Sequence, residues 1–197
     1  MWPWEHVLFA YVFYSVFVHF WFRARPTDWP VAALAFGSLL PDLVDKPLAW
    51  QFGLFETGWA IAHSVFVAVP LSLLAYAVAR YRGADRVGIG FAFGYLLHLV
   101  GDVLPASLSR GELYLTPVLW PFGNPTVSHS PESFAGGVLH NLGNYLSGLV
   151  ALDMTPVLAL QLGALVVGLG LWVYDGFPGL RLVVAPVRRA AENVRRS

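Results

Sequence analysis

The chain has 197 residues, of which 57% are hydrophobic and only 12% charged, and its formal net charge is zero. A soluble domain carries about a quarter charged residues to wet its surface, so much of this chain's outside must face lipid. Neutrality removes any global pull toward nucleic acid, and without cysteine a metal must be held by imidazole and carboxylate.

The N-terminus, Met1-Trp2-Pro3-Trp4-Glu5-His6, lacks the basic region of a cleavable signal peptide, so the first apolar run is expected to be retained. Crossing the hydrocarbon core takes about 17 to 25 apolar residues. A first span reads from Val7 to Phe22 and is ended by Arg23 and Arg25. A second runs from Trp29 to near Leu54, interrupted by Asp42, Asp45 and Lys46, with Pro41 expected to open a new short helix. The third, Trp59 to Ala79, closes at Arg80 and Arg82, and the fourth, Val87 to Leu104, opens after Arg86.

Residues 105–153 are rich in Pro, Gly, Ser and Asn and read as a loop with interfacial or re-entrant segments. The last span is Thr155 to Tyr174, followed by a basic tail with Arg181, Arg188, Arg189, Arg195 and Arg196. The expected fold is an all-α, polytopic membrane bundle of about five spans in the cell membrane. It forms one domain, with a core over 1–122 and an outer segment, last helix and tail over 123–197. Three arginine clusters should all be cytoplasmic, which sets the N-terminus outside. A sixth crossing at Phe134 to Leu152 would carry the tail outside, against the rule, and is ranked below five crossings for that reason.

Ionisable groups inside spans cost about 2.5 to 3.5 kcal/mol each on insertion scales and mark function by default. Six stand out: His6, Asp42, Asp45, His63, His98 and Asp102. The expected topology sets all six at the outer ends of their helices, an assembly suited to a hard or borderline metal. His98 and Asp102 share one helix face, four residues apart, and Asp42 and Asp45 share another, three apart. The bland readings are an ordinary His98–Asp102 hydrogen bond, an Asp42–Lys46 ion pair, an interfacial His6 and a core His63. Their convergence at one face weighs against all four readings together. His19 reads as a packing residue, while His129 and the His140/Asn144 pair read as polar loop and structural helix face.

With these residues aligned, the chain resembles the membrane-bound metal-dependent hydrolase family typified by the YdjM and YbcI inner-membrane proteins. Four blocks carry the likeness in order: Glu5-His6-Val7-Leu8-Phe9, Leu40-Pro41-Asp42 with Asp45, His63-Ser64, and Gly94-Tyr95-Leu96-Leu97-His98 with Asp102. The last is trailed by Pro117-Val118-Leu119-Trp120-Pro121, and the likeness covers roughly residues 5 to 122. Two departures stand out. Asp45 follows Asp42 by three residues where the family has two, and Gly58 and Trp59 stand where the family has His-Arg. The resemblance implies hydrolysis of a phosphoester or other lipid-linked bond.

The resulting expectation is a hydrolase using Zn²⁺ or Mn²⁺ to activate a water, with His6, Asp42, His63, His98 and Asp102 as ligands. Asp45 is expected as ligand or general base. Its partners are the lipid bilayer and a lipid-linked substrate. Two rivals remain: a metal or proton transporter, and an inactive scaffold that keeps the metal for stability.

Overall fold

The computed structural model describes residues 1–123, 125, 133–151 and 154–185. His129 and the arginines beyond Arg181 lie outside the described residues. Six α-helices lie wholly within the described residues, in chain order: α1 Pro3–Phe17, α2 Asp28–Trp50, α3 Val65–Tyr81, α4 Asp85–Arg110, α5 Phe134–Ala151 and α6 Pro156–Tyr174. A π-helical turn, Val18–Phe22, extends α1. Among the described residues, three helical stretches are long and apolar enough to cross a membrane: Pro3–Phe22, Asp85–Arg110 and Pro156–Tyr174. Val65–Tyr81 is apolar but shorter. Phe13, Val16, Leu73, Leu74 and Val166 stand exposed, an apolar exterior that a lipid environment accommodates.

Helices α2 and α4 form the tightest pair. Gly90 and Gly94 face α2 so closely that a Cβ at either would run into the backbone carbonyls of Pro30 and Leu34. Small residues four apart allow such approach where dispersion contacts, not water expulsion, hold helices together. Ala10, Tyr11, Tyr14, Val18, Val31 and Leu34 pack as one core between α1 and α2, and Ala68, Tyr95, Leu99 and Val118 as a second around α3 and α4. Helix α6 leans on α1 through Gly168, which packs against Leu8.

Three local expectations are corrected. Helix α2 continues through Pro41 and Pro47 to Trp50 without opening a new helix at Pro41. A proline removes one internal hydrogen bond, and burial of Leu34, Ser38 and Asp45 along the same helix keeps it whole. Helix α3 starts at Val65, not Trp59, because Ser64 caps it by accepting from Phe66 N–H. Residues 51–64 therefore form an irregular connection that reaches the core. Phe134–Ala151 is a regular helix, although His140, Asn141 and Asn144 make it too polar to count among the crossing candidates.

The arginines that follow α1 and open α4 gather, whereas Arg110 closes α4 at its other end. Arg86 stacks on Phe22 at 4.6 Å and Arg25 on Tyr174 at 5.4 Å, which joins the end of α1, the start of α4 and the end of α6. The other end holds the ionisable cluster.

Candidate metal centre

His6 stands in the first turns of α1, whose start is fixed by Glu5. Glu5 Oε2 accepts from Trp2 N–H at 2.7 Å and from Gln161 Nε2 on α6 at 2.9 Å, the reach-back of a capping box. The His6 ring stacks on His98 with centroids 3.9 Å apart. Gly101 lies behind it, where a Cβ would come within 2.8 Å of His6 Nδ1.

His98 Nδ1 lies 2.6 Å from the Ser38 carbonyl of α2. A carbonyl only accepts, so Nδ1 carries the proton and Nε2 keeps its lone pair. His63 is arranged the same way by Asp45, whose Oδ2 accepts from Nδ1 at 2.8 Å. Asp45 also accepts from the backbone N–H groups of Ala60, Ala62 and His63 at 2.9 to 3.0 Å. The irregular connection thus wraps around one carboxylate and aims His63 Nε2 inward. Such a carboxylate behind a ligating imidazole fixes its tautomer and raises its basicity.

The free nitrogens meet. His63 Nε2 and His98 Nε2 are 3.1 Å apart. Asp102 Oδ2 lies 3.4 Å from the first and 3.6 Å from the second, and Asp102 Oδ1 lies 3.2 Å from His6 Nε2. Asp42 Oδ1 lies 3.4 Å from His63 Nε2 and 3.8 Å from His98 Nε2. Among the described residues, two groups of three have ligand atoms within 4.8 Å of one another: His6 with His98 and Asp102, and Asp42 with His63 and His98. His98 has one nitrogen left to give, so both groups describe one centre.

The donor set fits a divalent ion. Nitrogens bound at about 2.0 to 2.1 Å around a tetrahedral ion stand about 3.3 Å apart, close to the 3.1 Å seen. His6 Nε2, the nitrogen turned toward Asp102, is buried without a hydrogen bond, a cost that a cation in the centre would offset. His63 lies in the connection between α2 and α3, outside the helices long enough to span. Burial disfavours its cation, but Asp102, Asp42 and Asp45 outweigh that and push its pKa up to about 10. The site demands a positive charge at this point, and a proton or a metal ion meets the demand.

Five of the six residues singled out from sequence come together here. Asp45 belongs to neither ligand group, and its oxygens are taken by four donors. Its place here is behind His63, which it orients. The sequence reading missed Trp59, whose indole Nε1 donates to Asp102 Oδ2 at 2.9 Å. It also missed the Ser38 carbonyl, because a backbone acceptor leaves no mark on residue type. The Asp42–Lys46 ion pair, one of the bland readings weighed against a metal, is present at 2.7 Å.

Trp59 also borders a cavity of about 230 Å³, walled by Leu54, Phe55, Thr57 and Trp120 among others. The Trp120 side of this wall is tied down by Ser64, which donates to the Trp120 carbonyl at 2.6 Å.

A protein-family model described as the YdjM inner membrane protein matches residues 1–177. The chain belongs to the YdjM inner membrane protein family. The match takes in α5 and α6 as well as every cluster residue, so the YdjM unit is wider than the 5 to 122 that the motifs alone suggested. It establishes a membrane protein. No curated protein and no solved structure matches this YdjM chain.

At the arginine-bearing end, His19 does more than pack. Its Nε2 lies 2.7 Å from Asp175 Oδ1, while Tyr11 and Ser15 donate to Asp175 Oδ2 at 2.6 and 2.7 Å. On α5, Asn144 Nδ2 lies 3.1 Å from His140 Nε2 on an exposed face, in keeping with a structural helix pair.

Proposed function

We propose that this YdjM-family chain is a membrane-embedded, metal-dependent hydrolase acting on a phosphoester or other lipid-linked bond at the non-cytoplasmic face. The observation that carries the reading is the pair of Nε2 atoms of His63 and His98 at 3.1 Å, each ring already committed at Nδ1. His6, Asp42, His63, His98 and Asp102 hold one divalent ion, Zn²⁺ or Mn²⁺ by ligand type. When bound, the ion supplies an acidified water and a Lewis acid for the scissile group. Asp45 fixes His63, Trp59 fixes Asp102, and the cavity beside Trp59 gives a substrate a way to the centre.

The orientation follows from the arginines at the opposite end, about five crossings keeping them inside. A substrate entering from the bilayer meets the site at headgroup depth. The test is metal content of the purified protein together with chelator-sensitive hydrolysis of a panel of lipid and soluble phosphoesters. Wild-type protein that takes up no metal after supplementation sinks the reading. Metal removal that lowers only the melting temperature, with no hydrolysis, favours the scaffold.

A second reading, transport of a metal ion or proton, draws on one observation. The side chain of Asp175 is fully buried at the far end and bound to His19, Tyr11 and Ser15, so that end is not bare of ionisable groups. Fully buried Ala10 occupies the helical turn of α1 between His6 and Ser15, which favours the enzyme. Metal-dependent ion flux in reconstituted vesicles, without hydrolysis, reverses the order.

A further inference from the structure

Lys46 is the only lysine of the chain. It lies one turn beyond Asp42 on α2, with Nζ 2.7 Å from Asp42 Oδ1. That oxygen is the one facing His63 and His98. The ammonium therefore sits at the rim of the centre. The His63 and His98 side chains are 0% exposed, whereas that of Lys46 is 25% exposed, so it can be reached from outside while it touches the inner shell.

Its stem is held in place. Nζ lies 5.8 Å from the centre of the Trp50 ring. Across from that ring, Gly58 leaves the space the stem uses, since a Cβ there would come within 3.2 Å of Lys46 Cγ and 3.5 Å of Trp50. A larger residue at position 58 would crowd the lysine. An ammonium has three donors, and Asp42 takes one.

We infer that Lys46 is a substrate-binding residue whose ammonium holds the anionic oxygen of a phosphate group presented to the centre. The inference rests on the proposed function, because it assumes an ion at the His63–His98 site. With an ion bound, Asp42 Oδ1 serves two cations. An oxyanion between them relieves their repulsion, which is strong where water is scarce. The ligand chemistry is a tetrahedral phosphate oxyanion, from a lipid headgroup or from a soluble phosphate.

The test uses full-length protein in detergent loaded with Mn²⁺, and reads metal content and the paramagnetic broadening of the phosphorus resonance of inorganic phosphate. The wild type should broaden the signal. Lys46→Met should keep its Mn²⁺ and weaken the phosphate effect by about tenfold or more, the loss expected for one charge-assisted hydrogen bond. Lys46→Arg should restore it. Equal broadening by Lys46→Met and wild type overturns the inference, as does loss of Mn²⁺ from Lys46→Met. Should Lys46→Met fail to fold, Lys46→Gln gives the same reading. Wild type that takes up no Mn²⁺ defeats the proposed function itself and the inference with it. Nanodiscs with phosphatidic acid, compared with phosphatidylcholine alone, separate the two sources. Displacement of inorganic phosphate only by the former assigns the headgroup, and no displacement by either assigns a soluble phosphate.

Discussion

His63 Nε2 faces His98 Nε2 across 3.1 Å, while each ring spends its Nδ1 proton on a fixed acceptor. Two neutral rings held this way would oppose lone pair to lone pair. A proton held by one of them at hydrogen-bond distance, or a metal ion between them, relieves that opposition.

Metal content should be one ion per chain, because His98 has a single nitrogen to offer. His98→Ala or Asp102→Ala should each lower bound metal by about tenfold or more, since each removes a buried ligand. His19→Ala should leave it unchanged, as His19 binds Asp175 at the other end. Elemental analysis of purified variants decides this. Two ions per chain would overturn the single-centre reading.

Asp45→Asn should weaken metal affinity by about 10- to 100-fold without abolishing binding, the usual cost of losing a carboxylate behind a ligating histidine. Titration calorimetry measures it. Full metal affinity with turnover lost would return Asp45 to the role of base.

Metal uptake should release protons. The folded protein without metal holds His63 with a pKa pushed up to about 10, above the ordinary value near 6.5. The stabilising contribution of this proton is complete below about 6.5 and is lost as pH rises through about 10. Metal must displace the proton, so affinity should rise with pH across that window, and calorimetry in buffers of different ionisation enthalpy counts the proton. Affinity flat between pH 7 and 9 would contradict it.

Sequence reading found the cluster because intramembrane charge is costly, and His6, His63, His98 and Asp102 stood out on that ground alone. It did not foresee Asp45 behind His63, because its partners are the backbone N–H groups of Ala60, Ala62 and His63, and residue types do not report where a loop's amides point. It opened a new short helix at Pro41 within the second span, because a local rule about proline cannot weigh the burial of an entire helix face. It left Asp175 unnoticed, since a carboxylate just past an apolar run looks solvated until Tyr11, Ser15 and His19 of another helix are seen around it.

Gly94→Ala should destabilise the protein by about 1 to 3 kcal/mol through overpacking, for its methyl group would meet the Leu34 carbonyl. Unfolding in mixed micelles reads the change. A neutral Gly94→Ala would show that α2 and α4 are less closely packed than described.

Orientation has its own check in this cysteine-free chain. Ser109→Cys, beyond Asp102 at the cluster end of α4, should react with an impermeant thiol reagent in intact cells. Tyr81→Cys, at a site 92% exposed beside Arg80 and Arg82, should react only after lysis. The reverse pattern would put the centre on the cytoplasmic side.

Helix α6 gives no ligand, yet polar bonds tie it to α1 at both ends, Gln161 to Glu5 and Asp175 to Tyr11, Ser15 and His19. Two such ties act as stops against sliding: α1 cannot rise or sink along the bilayer normal without breaking one of them. The depth of His6 is therefore set by the helix beside it, and a bilayer whose thickness tilts α6 would move His6 relative to His98 and Asp102.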